Sequence, residues 1–284
     1  MLERRKRSVV AAVAWGSMAS LALIGCGDSN KERGVEVAAN TPVGGDTTIG
    51  ASLNTTIITP VSYDDAESAY TAKRFDEAVT KFTGYTVTKP ENPWGHYMLG
   101  LSAWKTHELG LAESELLKAI ELDSMHVKSR FNLTRVYLDK GEPGEAVKQI
   151  EAGVKLDSTS GEGFRLLGRV RDELGMFPEA EESYRAAIKI DSTDAWAMNN
   201  LGLNLIKQGK FEGAVEALTQ VTVLKPESPT FQNNLGMALE LNGRLTDAAK
   251  AYQAAIDLDS SYQKAIDNLA RVKDLKDRTE VKPN

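Results

Sequence analysis

The chain repeats one pattern of hydrophobic and polar positions every 34 residues from Thr59 onwards. Within each repeat, apolar residues at positions 4, 7, 8 and 11 form one stripe, and those at positions 17, 20, 24 and 27 or 28 form a second. Spacings of three and four residues place such side chains on one face of an α-helix. Each repeat is therefore predicted to form two amphipathic helices, and six repeats occupy residues 59–262 without insertion or deletion.

Small residues recur where the two predicted helices of a repeat must approach each other. Position 20 is alanine in all six repeats, and position 8 is small in most of them. Position 15 is glycine in the last four repeats, where a positive φ would end the first helix. The first repeat instead has Asp65 and Lys73 where other repeats have leucine and mostly glycine, which predicts a more polar outer face.

No single repeat can bury both of its apolar stripes, so the repeats are predicted to stack into a solenoid. Residues 263–276 are predicted to form one further helix that closes the stack, with Ile266, Leu269, Ala270 and Val272 facing inward. Residues 277–284 are expected to form a disordered tail.

The 34-residue period, with leucine, a small residue, glycine and alanine at positions 7, 8, 15 and 20, resembles the tetratricopeptide repeat. The resemblance covers residues 59–262. It implies an all-α fold, a right-handed superhelical solenoid of six helix-turn-helix units plus a C-terminal capping helix. It also implies that the first helices line a concave groove through positions 2, 5, 6, 9, 12 and 13, and that this groove binds an extended peptide segment of a partner protein.

The groove columns contain aromatic, basic and asparagine residues that we predict to bind such a peptide: Trp94, Tyr97, Trp104, Phe131, Arg135, Arg165, Arg169, Asn132, Asn199, Asn200, Asn233, Asn234 and Asn268. An asparagine amide both donates and accepts hydrogen bonds, so a ladder of asparagines can pair with a peptide backbone. Two alternatives stay open at this stage: the aromatic residues pack within the fold, and the asparagines join neighbouring repeats. The lysine-rich clamp that captures a chain terminus in related chaperone cofactors is not reproduced at position 5.

The first 25 residues are typical of a secretory signal peptide, because a basic cluster precedes an apolar stretch from Val9 to Ile24. The sequence that ends at Cys26 resembles the lipobox of bacterial lipoproteins, which implies that Cys26 is acylated and anchors the chain to a membrane through its acyl chains. Residues 26–58 are predicted to be this lipidated cysteine and a disordered tether. In the lipoproteins that this motif resembles, an aspartate directly after the cysteine retains the protein in the inner membrane. Because Gly27 stands there, the resemblance implies the periplasmic face of the outer membrane of a bacterial envelope.

Without residues 1–25, the chain has 30 basic and 39 acidic residues, which opposes nucleic-acid binding. One cysteine and three histidines give no metal-ligand spacing, and no catalytic motif occurs. We therefore predict no cofactor, no metal site and no enzyme activity. The predicted function is a lipid-anchored adaptor or scaffold. The alternative is a structural accessory subunit of an outer-membrane assembly, similar to pilotin-like lipoproteins of secretin or type IV pilus assembly or to peptidoglycan-enzyme adaptors.

Overall fold

A computed structural model describes residues 61–280 of the protein, and in this range thirteen α-helices follow one another without a strand. Their bounds are α1 Tyr63–Thr71, α2 Phe75–Thr88, α3 Pro93–Lys105, α4 Leu109–Leu122, α5 Val127–Asp139, α6 Pro143–Leu156, α7 Gly161–Glu173, α8 Phe177–Ile190, α9 Ala195–Lys207, α10 Phe211–Leu224, α11 Pro229–Leu241, α12 Leu245–Leu258 and α13 Gln263–Glu280. The predicted signal peptide, the acylated Cys26 and the tether lie outside the described residues.

The helices alternate as the sequence pattern predicts, and the predicted all-α solenoid of helix-turn-helix repeats is confirmed. From the second repeat onwards, each repeat has a first helix of 13 residues and a second helix of 14 residues. Side chains that accept a backbone N–H cap several of the first helices, for example Ser160 at α7 and Asp194 at α9.

Close approach within a repeat depends on the small residue at position 8. A Cβ atom added to Gly168, Gly202 or Gly236 would lie 2.4–2.6 Å from the side chain at position 24 of the same repeat. Since such distances are shorter than any van der Waals contact, glycine is required for the observed packing. Ala214, at position 20, is also fully buried.

The turn after each first helix is left-handed at position 15 in all six repeats. The four predicted glycines, Gly141, Gly175, Gly209 and Gly243, have φ between 73° and 79°. The first two repeats keep the same turn with Lys73 and His107, whose φ angles are 59° and 63°. The prediction of a positive φ at this position is therefore confirmed.

The stack curves because neighbouring repeats approach most closely at their first helices. Each odd-numbered helix contacts the next odd-numbered helix, whereas no even-numbered helix in residues 61–280 contacts another even-numbered one. The odd-numbered helices therefore form the inner, concave side of the solenoid, and the even-numbered helices form the outer side.

Helix α13 covers the end of the stack, with Leu269 and Val272 buried against the preceding repeat. The prediction that Ala270 faces the stack is wrong, because this residue follows Leu269 directly and lies on the exposed face of the helix. It ends at Glu280, so the prediction that residues 277–280 are disordered is wrong. An ion pair between Arg278 and Asp274, one helical turn apart, supports the extra turn. No helix in residues 61–280 is both long enough and apolar enough to span a bilayer.

Candidate functional site

The inner side of the solenoid contains a cavity of about 350 Å³ between α5, α7 and α9. We call it the arginine cavity, and its walls are Arg135, Glu162, Arg165, Leu166, Arg169, Trp196 and Asn200. A wider depression of about 600 Å³ adjoins it towards the start of α11 and shares Arg165 and Trp196. Another of about 320 Å³ shares Arg169 and Asn200. The arginine cavity is therefore part of a longer groove along the first helices of repeats three to six.

Two helices supply most of the cavity wall through residues four positions apart. Arg165 and Arg169 lie on one face of α7, and Trp196 and Asn200 lie on one face of α9. Residues with this spacing are neighbours on a helix surface. The arrangement follows directly from the 34-residue period, since the same face of each first helix is turned towards the groove.

Two of the three arginines are neutralised by acidic residues of the groove itself. The Arg135 guanidinium forms an ion pair with Glu162, and Arg165 Nη1 donates to Asp194 Oδ1 at 3.0 Å. Asp194 Oδ1 also accepts the backbone N–H of Ala197 at 2.9 Å and so caps α9. These ion pairs connect α5 to α7 and α7 to α9, which fixes the width of the cavity.

Arg169 and Asn200 differ from the other polar residues of the cavity wall. Arg169 is exposed and forms no side-chain hydrogen bond or ion pair within residues 61–280. The Asn200 carbonyl accepts from Asn199 at 3.4 Å, but its amide nitrogen donates to no group in the same range. Both side chains therefore have donors available to a ligand.

Trp196 is an exposed aromatic residue that the sequence analysis missed. Its side chain is 57% exposed and contacts the edge of Phe231 in α11, with the ring centroids 5.1 Å apart. Trp196 occupies position 2 of repeat five, the column in which Trp94 was selected in repeat two. A comparison of position 2 across all six repeats would have identified Trp196 from the sequence.

The asparagines form hydrogen bonds between neighbouring repeats. Asn234 Nδ2 donates to Asn199 Oδ1 at 2.8 Å, and Asn268 Nδ2 donates to Asn233 Oδ1 at 2.9 Å. Asn132 donates in the same way to the Tyr97 hydroxyl at 3.2 Å. Each bond joins position 6 of one repeat to position 5 of the repeat before it. These contacts match the alternative in which the asparagines join repeats, while pairing with a peptide backbone stays a prediction.

This inter-repeat bond is missing at the arginine cavity. There, position 5 is Arg165 and position 6 of the next repeat is Asn200, and the two side chains are not hydrogen-bonded. Because Arg165 pairs with Asp194 instead, the Asn200 amide stays free. The bond is also absent between repeats three and four, where the two positions are Phe131 and Leu166, and between repeats one and two. The cavity therefore spans two successive junctions that lack this bond.

The four aromatic residues that were predicted to bind a peptide differ in burial and in the groups that they contact. Tyr97 and Phe131 are buried, and Phe131 packs against Gly153 and Gly163. Trp104 Nε1 donates to Asp139 Oδ2 at 2.7 Å, which again connects neighbouring repeats. These three residues match the alternative in which the aromatic residues pack within the fold or join neighbouring repeats, while a role in peptide binding stays a prediction.

Trp94 is the most exposed of the four predicted aromatic residues, at 44%. It packs edge-on against Tyr97 and His126, and the Lys128 ammonium lies 5.5 Å from its ring centroid. Burial lowers the pKa of His126, so this histidine is neutral at pH 7. In residues 61–280 no group of three His, Cys, Asp or Glu side chains is placed to hold a metal ion.

A family model described as the tetratricopeptide repeat matches residues 97–160, 131–195 and 199–263. Three similar solved structures have the same fold. YrrB, a TPR protein with an unusual peptide-binding site, is 23% identical, with 65% of this chain and 95% of YrrB covered and a TM-score of 0.53. MamA is 25% identical; the match covers 58% of this chain and 97% of MamA, with a TM-score of 0.53. PilF of Pseudomonas aeruginosa is 19% identical; the match covers 66% of this chain and 86% of PilF, with a TM-score of 0.58. No curated protein matches the chain significantly.

Proposed function

The chain belongs to the tetratricopeptide repeat family, and we propose that it is a non-enzymatic adaptor whose groove binds an extended segment of a partner protein. The observation that carries this proposal is the arginine cavity, where an exposed tryptophan lies beside an unpaired arginine and a free amide donor. A concave surface with apolar area and a few available polar groups is typical of a binding site. YrrB has a peptide-binding site and the same solenoid fold; extending peptide binding to this chain is part of the proposal.

Bonds between groove residues of neighbouring repeats indicate that the groove is already formed before a ligand binds. Arg135, Arg165 and the paired asparagines hold neighbouring first helices at fixed distances through ion pairs and hydrogen bonds. A groove that is already ordered loses little conformational entropy when a ligand binds. An extended segment can then bind along the first helices without a rearrangement of the repeats.

We further propose that the adaptor is attached to the periplasmic face of a bacterial outer membrane through acyl chains on Cys26. The basic and apolar segments before Cys26 support this proposal. Mass spectrometry of the protein from native membranes is expected to detect acylated Cys26, and a Cys26→Ser variant is expected to leave the membrane fraction. An unmodified Cys26 in membrane-extracted protein would contradict the anchor.

A second candidate function uses the outer side of the solenoid, as in an accessory subunit of an outer-membrane assembly. The observation that favours it is a cavity of about 330 Å³ between α8 and α10, where Leu201 and Leu205 of α9 form the floor. Exposed polar residues, including Lys189, Glu216 and Gln220, surround this cavity.

Cross-linking and affinity purification from the native envelope distinguish the two candidates. The groove variant carries alanine at Arg169, Trp196 and Asn200, and the matched outer-side variant carries alanine at Lys189, Glu216 and Gln220. Equal far-ultraviolet circular dichroism must first show that both variants keep their helices. We expect a partner that is lost from the groove variant alone. A partner lost from the outer-side variant alone would support the accessory-subunit function instead.

A further inference from the structure

We propose that the arginine cavity recognises an internal acidic side chain together with a large apolar side chain in the same extended segment of the partner. Arg169 and Asn200 bind the carboxylate, and Trp196 contacts the apolar side chain. This inference rests on the proposed function, because it names the kind of segment that the groove binds.

The balance of charges selects an acidic ligand. Arg135 and Arg165 are each paired with one carboxylate, so Arg169 is left as the unbalanced charge among the residues that line the cavity. Glu173, one helical turn after Arg169, forms no ion pair with it. A basic ligand in the arginine cavity would meet the exposed guanidinium of Arg169, and the one carboxylate that lines this cavity, Glu162, is already paired with Arg135.

Asp172, a half-buried carboxylate that lines the adjoining depression with Arg169, is also occupied. Asp172 Oδ2 accepts from the Tyr184 hydroxyl at 3.0 Å, and Asp172 Oδ1 accepts from Asn204 Nδ2 at 2.7 Å. Since its oxygens are already bonded within the fold, Asp172 does not satisfy Arg169. The available guanidinium can therefore bind an external carboxylate with two parallel hydrogen bonds.

The spacing of the wall residues sets the distance between the two ligand side chains. Trp196 occupies position 2 of its helix, and Arg169 occupies position 9 of the neighbouring first helix. Seven positions correspond to a rise of about 10 Å along a helix. The axes of packed helices also lie about 8–10 Å apart, so the two wall residues are separated by about 13 Å. An extended peptide advances about 3.3 Å per residue, so the acidic and apolar side chains are expected within about four residues of each other.

The same wall argues against an acidic side chain that lies next to a free carboxyl terminus. A terminal carboxylate next to an acidic side chain carries two negative charges and needs a second unpaired cation. Among the lining residues of the arginine cavity, Arg169 is the only cation without an acidic partner. The acidic side chain is therefore expected within a chain, and a peptide that is blocked at both ends presents it in that form.

An array of random nonapeptides, acetylated and amidated, tests this specificity with the folded protein. The peptides that bind are expected to be enriched in Asp or Glu within about four residues of a large apolar side chain. Arg169→Gln is expected to weaken binding of selected peptides by about tenfold or more, measured by fluorescence anisotropy. Arg169→Glu is expected to change the preference from acidic to basic peptides.

Lys155→Glu is the matched control, because it makes the same change of charge at an exposed position of α6, on the outer side of repeat three and away from the cavities described above. The control is expected to keep the acidic preference. Peptides that bind through Trp196 but show no acidic enrichment, or no change with Arg169→Glu, would overturn this inference and leave groove binding intact. If no peptide binds, or if binding is unaffected by both Arg169→Glu and Trp196→Ala, the inference and the proposed groove function are both contradicted.

Discussion

At the scale of single residues, position 15 shows how a backbone conformation is kept without the residue that favours it. Four repeats place glycine at this left-handed turn, whereas Lys73 and His107 adopt nearly the same φ in the first two repeats. A residue with a Cβ atom in this conformation costs about 1–2 kcal/mol relative to its preferred conformation. The surrounding helices, which pack on both sides of the turn, impose the conformation on these two residues.

Replacement of His107 by glycine is therefore expected to stabilise the protein. The strain is relieved in the folded state, while the greater freedom of glycine in the unfolded state offsets part of the gain, so the free energy of unfolding should rise by about 0.5–1 kcal/mol. Urea denaturation of the folded domain measures this difference. The reverse change in a later repeat, Gly175→Ala, should lower the free energy of unfolding, and equal stability of all three proteins would contradict the account.

Glu181 connects repeat four to repeat five through a cluster of charge-assisted hydrogen bonds. Lys210 Nζ donates to Glu181 Oε2 at 2.8 Å, and Gln208 Nε2 donates to the same oxygen at 2.9 Å. Burial raises the pKa of Glu181, but hydrogen bonds from Lys210, Arg185 and Gln208 outweigh this effect and lower the pKa to about 2.

The Glu181 contribution to stability is expected to depend on pH. Because the folded-state pKa is lower than the ordinary value of 4.5, the contribution is fully present above pH 4.5 and is lost as the pH falls towards about 2. Glu181→Gln should lower the free energy of unfolding at pH 7 by about 1–2 kcal/mol, after allowance for solvent screening of the exposed cations. The difference from wild type should shrink below pH 4.5. Glu182→Gln, at an exposed neighbour, should cause no comparable change.

At the scale of helices, the close approach of the two helices in each repeat depends on alanine and glycine. Ala214 on α10 is fully buried, and a Cβ atom on Gly202 of α9 would lie 2.4 Å from the Leu218 side chain. Packing at this density leaves no room for a larger side chain.

Enlargement of Ala214 is expected to force α9 and α10 apart. Ala214→Leu should lower the free energy of unfolding by about 1–3 kcal/mol through overpacking. Thermal unfolding followed by circular dichroism measures the effect, and Thr219→Leu on the exposed face of α10 is the control. A melting transition that is unchanged in Ala214→Leu would contradict the assignment of position 20 to the interface between the helices.

The helices themselves were predictable from the sequence because their determinants are local. Apolar spacing, the small residues at positions 8 and 20 and the glycine at position 15 act within one repeat. The bonds of Asn199 and Asn233 were not fixed by this pattern, because each joins side chains 35 residues apart and depends on how two repeats stack. The extra turn at the end of α13 was missed because its support from Arg278 is ionic rather than apolar.

At the scale of the whole molecule, the solenoid converts a repeated sequence into a continuous inner surface. Ion pairs and asparagine bonds hold successive first helices together along most of this surface, and the arginine cavity lies where the bond between positions 5 and 6 is absent. The location of the groove columns was predictable from the period. Which of their residues stay available, notably Arg169, Asn200 and Trp196, depends on pairing between repeats and required the structure.

Photo-cross-linking in the native envelope tests the central claim, that the inner side of repeats four and five binds the partner. A photoreactive phenylalanine analogue is placed at Trp196 on the inner side or, as the matched site, at Gln220 on the outer side. The account predicts a discrete cross-linked adduct from position 196 and none from position 220. An adduct from position 220 alone would contradict the account and assign the interaction to the outer side.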